Sequence, residues 1–231
     1  HGFIKSNNLN KSDIYKKVID KGEFYFASTK PKVINVLNEL QSIIPESLQN
    51  YSWKKSMKWS THELNWGRPL KSIVAVFNNN VINFNFFHLR SSNLTHINGT
   101  DSDKIKKINN FKSYKAFLKS KNIILEQEQR RNLIEKKIDN FCKSKKLKNK
   151  FNEKLIEEVV NLVEKPCVIM CKFDSMYLKI PEEILIITMQ HHQKYFPLFD
   201  GKGKLTNLFL LVANMEDKKG YIKEGNQRVI E

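Results

Sequence analysis

The sequence predicts an α+β fold, a mixed sheet with flanking helices, on three observations. Hydrophobic residues make up 40% of a 231-residue chain, enough to bury a real core. Aromatic and β-branched runs of strand length are separated by capped runs with an apolar residue every three or four positions. These two patterns come in separate runs, not in a strict strand–helix alternation.

Taken in order, Ser12 caps a short helix through Asp20, and Glu23–Ser28 reads as a strand by its aromatics. Ser28 or Thr29 then caps a helix with Pro31 in its first turn. Its stripe is Val33, Val36, Leu37, Leu40, Ile43 and Ile44, and Pro45 closes it. Residues 46–69 are irregular and hold Trp53, Trp59 and Trp66. Ser72–Phe77 and Val81–Phe87 form a hairpin turned by Asn78, Asn79 and Asn80, since Asn tolerates left-handed angles. Ile82, Phe84 and Phe86 alternate with Asn83 and Asn85, which gives that strand one wet face. Residues 89–111 read as loop.

Three helices follow. Ser113 caps residues 114–120, residues 127–146 turn Leu133, Ile134, Ile138 and Phe141 inward, and Asn152 caps residues 153–165. Cys167–Phe173 is a strand buried on both faces, and Pro181 opens a helix through about Gln190. Lys194–Phe199 and Leu205–Asn214 flank the turn Asp200–Lys204. Residues 1–50 read as an amino-terminal helix and strand segment. Residues 51–231 read as a mixed α+β core with a basic helical insertion at about 101–165.

The net charge of +16 is uneven. Residues 1–100 carry +7, residues 101–154 carry +10, and residues 155–231 carry −1. The most basic stretch is Lys143–Lys150, with Lys143, Lys145, Lys146, Lys148 and Lys150. It is either a phosphate-facing surface or a solvated lysine face in a chain rich in Lys, Asn and Ile. No run of about 18 apolar residues predicts a membrane span. Cys167 and Cys171, about 13 Å apart at ~3.3 Å per strand residue, are beyond the ~7 Å reach of a disulfide. A reducing cytoplasm is expected.

Chemical motifs are sparse. Gly201-Lys202-Gly203-Lys204 lacks P-loop spacing and reads as a hairpin tip, and Asn98-Gly99-Thr100 reads as a turn. There is no HExxH, and adjacent His191 and His192 point apart on a helix, so no metal site is expected. No GxSxG occurs. Cys142 sits on a lysine-rich helix that can lower a thiol pKa, although a packed bystander is the simpler reading. Two segments interleave amides or cations with aromatics, as base stacking and phosphate binding require: Met189–Pro197 and Trp53–Trp59 with Arg68. In each case core packing is the competing reading.

An ordered series of such segments across residues 53–230 resembles the beta subunit family of the bacterial two-subunit glycyl-tRNA synthetase. Lys55-Ser56-Met57-Lys58-Trp59 is similar to its K-x-M-[RK]-W, Gly67-Arg68-Pro69 to its F-x-R-P element, and Leu155–Pro166 to LLEEVxxLVExP. Phe173-Asp174, Leu178–Glu183, Thr188-Met189, Gln193–Pro197, Gly203–Leu205, Val212–Asn214 and Gly225–Ile230 follow in family order. Two departures stand out. Ile97-Asn98-Gly99 replaces Gly-His-Arg of T-x-G-H-R-F, and Lys165 replaces the tryptophan of LVEWP.

The resemblance implies an internal fragment of a beta subunit, without the family's HD-type and anticodon-binding domains. Its front part resembles the B3/B4-type module of the phenylalanyl enzyme's beta subunit, whose editing activity is not carried over. Charging of glycine tRNA would use ATP and magnesium in a separate alpha subunit. This chain would then have no catalytic residue, metal or cofactor of its own. Its partners would be the alpha subunit and glycine tRNA, with no membrane. The candidate RNA-binding residues are Lys55, Lys58, Arg68, Lys143, Lys145, Lys146, Lys148, Lys150, Gln193, Lys194 and Arg228. The alternatives are a trans-acting aminoacyl-tRNA deacylase using His191 or His192, and a protein-only scaffold.

Overall fold

A computed structural model describes residues 2–28, 33–97 and 105–230. The chain divides into two compact units, residues 1–70 with 82–90, and residues 71–81 with 91–231. The architecture is α+β, with several small sheets and seven α-helices among the described residues.

In the first unit, a short helix α1 (Gly2–Ser6) and a 3₁₀ turn (Lys11–Asp13) lead into β1 (Ile14–Ile19). β1 pairs antiparallel with β2 (Gly22–Ala27), from Ile14 opposite Ala27 to Ile19 opposite Gly22. The helix expected over residues 12–20 is therefore a strand. Tyr15, Val18 and Ile19 favour extended backbone, and Tyr15 stacks on Phe26 across the hairpin.

Helix α2 spans Val36–Gln49 and is capped by Asn35, whose Oδ1 accepts from the Asn38 N–H at 3.3 Å. Pro45 lies inside it and does not close it. The ring removes one N–H, a loss that a 14-residue helix tolerates when the remaining ladder holds. The expected caps Thr29 and Pro31 lie outside the described residues, as do the turn residues Asn98, Gly99 and Thr100. Ile82, Phe84 and Phe86 are buried while Asn83 and Asn85 are exposed, so the period-two reading holds there.

In the second unit, Val76–Phe77 and Asn80–Val81 form a short hairpin turned by Asn78 and Asn79, both at positive φ. The longer pairing of residues 72–77 with 81–87 is not formed, because Ile73–Val74 pairs in parallel with Ser91 and Ser92 instead. The stretch 89–111, expected as loop, contributes further short pairings, including Leu94–Thr95 with Lys106–Lys107. Helix α3 (Phe111–Ser120) starts at Asn110, whose Oδ1 accepts from the Ser113 N–H at 2.9 Å. Ser113 closes the capping box and is not the cap itself.

Helix α4 (Gln127–Lys145), strand β3 (Lys148–Asn149) and helix α5 (Glu153–Leu162) come next. Strand β4 (Cys167–Lys172), helix α6 (Glu182–Ile187), β5 (Phe196–Phe199), β6 (Leu205–Ala213) and helix α7 (Tyr221–Ile230) complete the chain. The sheet is antiparallel throughout, in the order β3-β5-β6-β4.

Both of its faces are covered. Ile134, Ile138 and Cys142 of α4 and Leu155, Ile156, Val159 and Val160 of α5 pack on Val168, Phe196, Leu198 and Leu210. On the other face Cys171, Phe173, Phe209 and Leu211 meet Leu185, Met189 and Tyr195, with Ile222 and Ile230 of α7 alongside. A fully buried side chain of this kind contributes about 1.5–3 kcal/mol.

One charge is built into this core. Arg130 is 9% exposed. Its Nε donates to the Val160 carbonyl at 3.0 Å, and its Nη1 donates to the carbonyls of Ile124 and Leu125, both at 2.8 Å. The side chain thus ties α5 and the α3–α4 loop to α4. Arg130→Met strands three carbonyls and is expected to cost about 2–4 kcal/mol in urea unfolding. Ile134→Ala, which opens a cavity at a fully buried position, is expected to cost about 3 kcal/mol in the same measurement.

Candidate nucleic-acid interface

The basic stretch forms where α4 ends and the sheet's edge begins. Lys146 adopts left-handed backbone (φ 54°), and its N–H returns to the carbonyls of Cys142 and Lys143. The Leu147 N–H donates to the Cys142 carbonyl at 2.9 Å, which closes the helix. The chain then pairs as edge strand β3, Lys148 opposite Phe199 and Asn149 opposite Leu198. Lys143, Lys145, Lys146, Lys148 and Lys150 are all exposed.

Sequence reasoning missed two neighbours. The Lys148 ammonium lies 3.5 Å from the Gly201 carbonyl, which brings the β5–β6 turn and its exposed Lys202 and Lys204 beside the stretch. The turn is rigid. Asp200 Oδ1 accepts from the Lys202 and Lys204 N–H groups, both at 2.9 Å, and Gly203 takes φ 83°. Hydrogen bonds from the backbone N–H of Lys204, then those of Lys202 and Gly203, hold the Asp200 carboxyl below its usual range. The signal was present as Gly-Lys-Gly-Lys at a turn, but only the β3–β5 pairing shows what it lies beside.

Other candidates are differently placed. Lys150 sits 4.0 Å from the centre of the Phe199 ring and 4.0 Å from Glu182 Oε1. Lys194 is paired with Glu158, and Gln193 is half-buried. Arg228 is exposed on α7, which packs on β4 at the other edge of the sheet, so it does not join the lysines of β3. Lys55, Lys58 and Arg68 are exposed in the first unit. There Met57 and Trp66 exchange backbone hydrogen bonds of 2.8 and 3.1 Å, which join the Lys55–Trp59 segment to Gly67-Arg68-Pro69. A Cβ on Gly67 would lie 2.8 Å from the Trp53 ring, so glycine is required for that approach.

The Met189–Pro197 segment is chiefly structural. Thr188–His192 widens into a π-helical turn, Lys194 takes left-handed backbone, and the Tyr195 N–H closes onto the Met189 carbonyl at 2.8 Å. Tyr195, Phe196 and Pro197 are buried. The Tyr195 hydroxyl donates to Asn226 Oδ1 at 2.5 Å, and Gln227 donates to the Lys172 carbonyl, so the Gly-Asn-Gln-Arg landmark anchors α7 to the sheet. Gln190 accepts from Asn152 at 3.1 Å, and His191 and His192 are exposed.

Two of the three thiols, Cys142 and Cys171, are buried, and Cys167 is half-buried. Burial, with Asp139 adding, pushes the Cys142 thiol up, and its lysine-rich helix does not bring it down. Burial pushes Cys171 up to about 11 and Tyr195 up to about 12. Among the described residues no three His, Cys, Asp or Glu side chains come together as metal ligands.

These features define an α+β protein with a lysine-rich sheet edge. The chain belongs to the glycyl-tRNA synthetase beta subunit family, whose profile matches residues 1–231. It is 34% identical over 231 residues to the glycine--tRNA ligase beta subunit of Rickettsia akari (strain Hartford), and 35% identical over the same length to that of Rickettsia typhi (strain ATCC VR-144 / Wilmington). The whole chain is covered in each case, and it spans about a third (35%) of each relative's own length.

Cys171 and Tyr195 are neutral acids that lose their protons more readily in the unfolded chain, where the ordinary values of 9.0 and 10.0 apply. Their contribution to stability is therefore complete below pH 9.0 and falls as the pH rises through about 11 and then about 12. Chemical denaturation between pH 8 and 11, on the order of one proton linked to Cys171, is expected to show a shallower alkaline loss for Cys171→Ala than for the parent. Identical slopes would remove Cys171 from the linkage.

Proposed function

We propose that this chain is part of a glycine–tRNA ligase beta subunit that supports ATP-dependent charging of glycine tRNA by binding the tRNA and assembling with an alpha subunit. The chemistry, with ATP and magnesium, lies in that alpha subunit. The observation that carries this reading is the family match over the whole chain, joined to the exposed lysines of residues 143–150 and the adjoining Lys202 and Lys204. Such lysines contact phosphates, which position a nucleic acid without reading its sequence.

The antiparallel sheet covered on both faces supports the finer likeness to a B3/B4-type module, and the three unbonded cysteines support a cytoplasmic setting. No described helix is long and apolar enough to cross a membrane. Lys143, Lys145, Lys146 and Lys148 carry no carboxylate partner among the described residues, whereas Lys150 and Lys194 do. The first four are therefore the stronger phosphate contacts.

In the assembled ligase, changing Lys143, Lys145, Lys146, Lys148 and Lys150 to Gln is expected to weaken glycine tRNA binding on the order of 10²-fold at low salt. It is also expected to flatten the dependence of log K on log salt, by about 0.9 for each lost duplex phosphate contact. Titration at two salt concentrations reads both. An unchanged affinity and slope would overturn the phosphate-contact reading and leave a protein-only scaffold.

A further inference from the structure

A cavity of about 550 Å³ lies between α3, the loop that joins it to α4, the first half of α4, and residues 165–167. None of the candidate RNA-binding residues lines it. Its size falls in the range of ligand pockets. Buried Leu118 and Pro166 and half-buried Ile123 and Leu133 form its apolar floor, with half-buried Cys167 and exposed Leu125 also in the lining. Its rim carries Lys119, Lys137 and Lys165, none of which makes an ion pair among the described residues. The amides of Asn122 and Gln129 also reach the rim and make no side-chain hydrogen bond among those residues. On one side Lys115 is paired with Glu126, and Glu216 completes a lining of four lysines against two glutamates.

The wall is held in place before anything binds. Arg130 fixes the carbonyls of Ile124 and Leu125 from behind, and the Ile124 N–H donates to the Glu164 carbonyl at 2.8 Å. A pre-ordered wall lowers the entropic cost of occupancy.

We propose that this cavity binds one nucleotide unit, its base on the apolar floor and its phosphate on Lys119, Lys137 and Lys165. The unit is either a free nucleotide or an unpaired residue of an RNA strand. Three parts of the lining match three parts of that ligand. An apolar floor accepts the face of a base, free amides bond its edge, and cations without partners meet its phosphate. A fatty acid would use the floor and one cation but leave both amides and two lysines idle. Inorganic phosphate would use the cations and leave the floor wet.

The proposal goes beyond the phosphate contacts of the sheet edge and stands on a separate set of residues. The test is calorimetric titration of the full-length protein that carries this chain. The probes are AMP, GMP, CMP, UMP, inorganic phosphate and a short single-stranded RNA. One-to-one binding of at least one mononucleotide, tighter than phosphate alone, is expected. Gln129→Trp, an exposed position whose new ring fills the mouth, is expected to weaken it at least tenfold. The surface pair Lys119→Glu with Lys137→Glu is expected to do the same.

Competition by the single-stranded RNA, bound more tightly than the mononucleotide, identifies an RNA residue as the source. Its failure to compete identifies a free nucleotide. No saturable binding of any mononucleotide or of the RNA at millimolar concentration would overturn the proposal. So would binding that survives both changes with unaltered circular dichroism. The Lys143–Lys150 glutamine variant separates the two readings. It should keep mononucleotide binding while losing salt-dependent tRNA affinity, whereas the cavity variants should lose mononucleotide binding whichever source supplies the unit.

Discussion

Burial of β6 from both sides is the constraint on which the second unit depends. Along this strand Leu208, Leu210 and Val212 point to α4 and α5, while Phe209, Leu211 and Ala213 point to α6 and α7. A strand with no wet face has no tolerance for slippage, because a shift of one residue exchanges both sets at once. Its neighbours inherit that register. β4 runs opposite it from Cys167–Ala213 to Lys172–Leu208, and β5 opposite it with a bulge between Pro197 and Phe199. β3 can then pair only with what β5 leaves open. The lysine-rich edge is thus a consequence of the core, since a two-residue strand supplies little pairing energy of its own.

The electrostatics follow the same hierarchy. The Arg130 guanidinium taken into the core has three carbonyl acceptors, which a buried cation requires. The surface pairs are of less consequence to stability, and Lys16–Glu23 and Lys150–Glu182 lie in solvent. Two bland roles are open to the basic stretch beside the proposed phosphate binding. Lys143 and Lys145 oppose the negative end of the α4 dipole, and Lys148 discourages a second chain from pairing with the sheet edge. Neither role requires five lysines, nor Lys202 and Lys204 in the adjoining turn.

Much of the second unit was legible in sequence. The stripe of α4, the cap at Asn152, the doubly buried β4 and the hairpin around Asp200–Lys204 all rest on local chemistry that the sequence states openly. The misreadings have three different causes. Ser12–Asp20 looks helical by its cap until Phe24–Phe26 supplies a pairing partner, and Pro45 looks terminal until Asn35 moves the helix start past the expected cap. Lys148–Asn149 has no period to read at all. Hairpin pairing decided β1 and a local cap decided the start of α2, while β3 was decided by a partner distant in sequence, which outweighs propensity. The site was less legible. Single-residue chemistry found the lysines, but the carboxylates facing Lys150 and Lys194 come from α6 and α5.

The motifs that marked the family most clearly are spent on architecture. Tyr195 meets Asn226, Gln227 meets Lys172, and Gly67 makes room for Trp53, so three landmarks hold elements in place. A ligand-facing surface has to be sought between the landmarks, and helix α4 offers one at each end. From Gln129 at the cavity to Lys145 at the sheet edge is 16 residues, about 24 Å at the helical rise. Arg130, Ile134, Ile138 and Cys142 fix the inner face of that helix along its length. A rigid rod with lysines and an apolar hollow at one end and a lysine cluster at the other holds the two at a set distance. An RNA strand that set one residue in the hollow and its phosphates on the cluster would span that distance, whereas a free nucleotide would occupy the hollow alone.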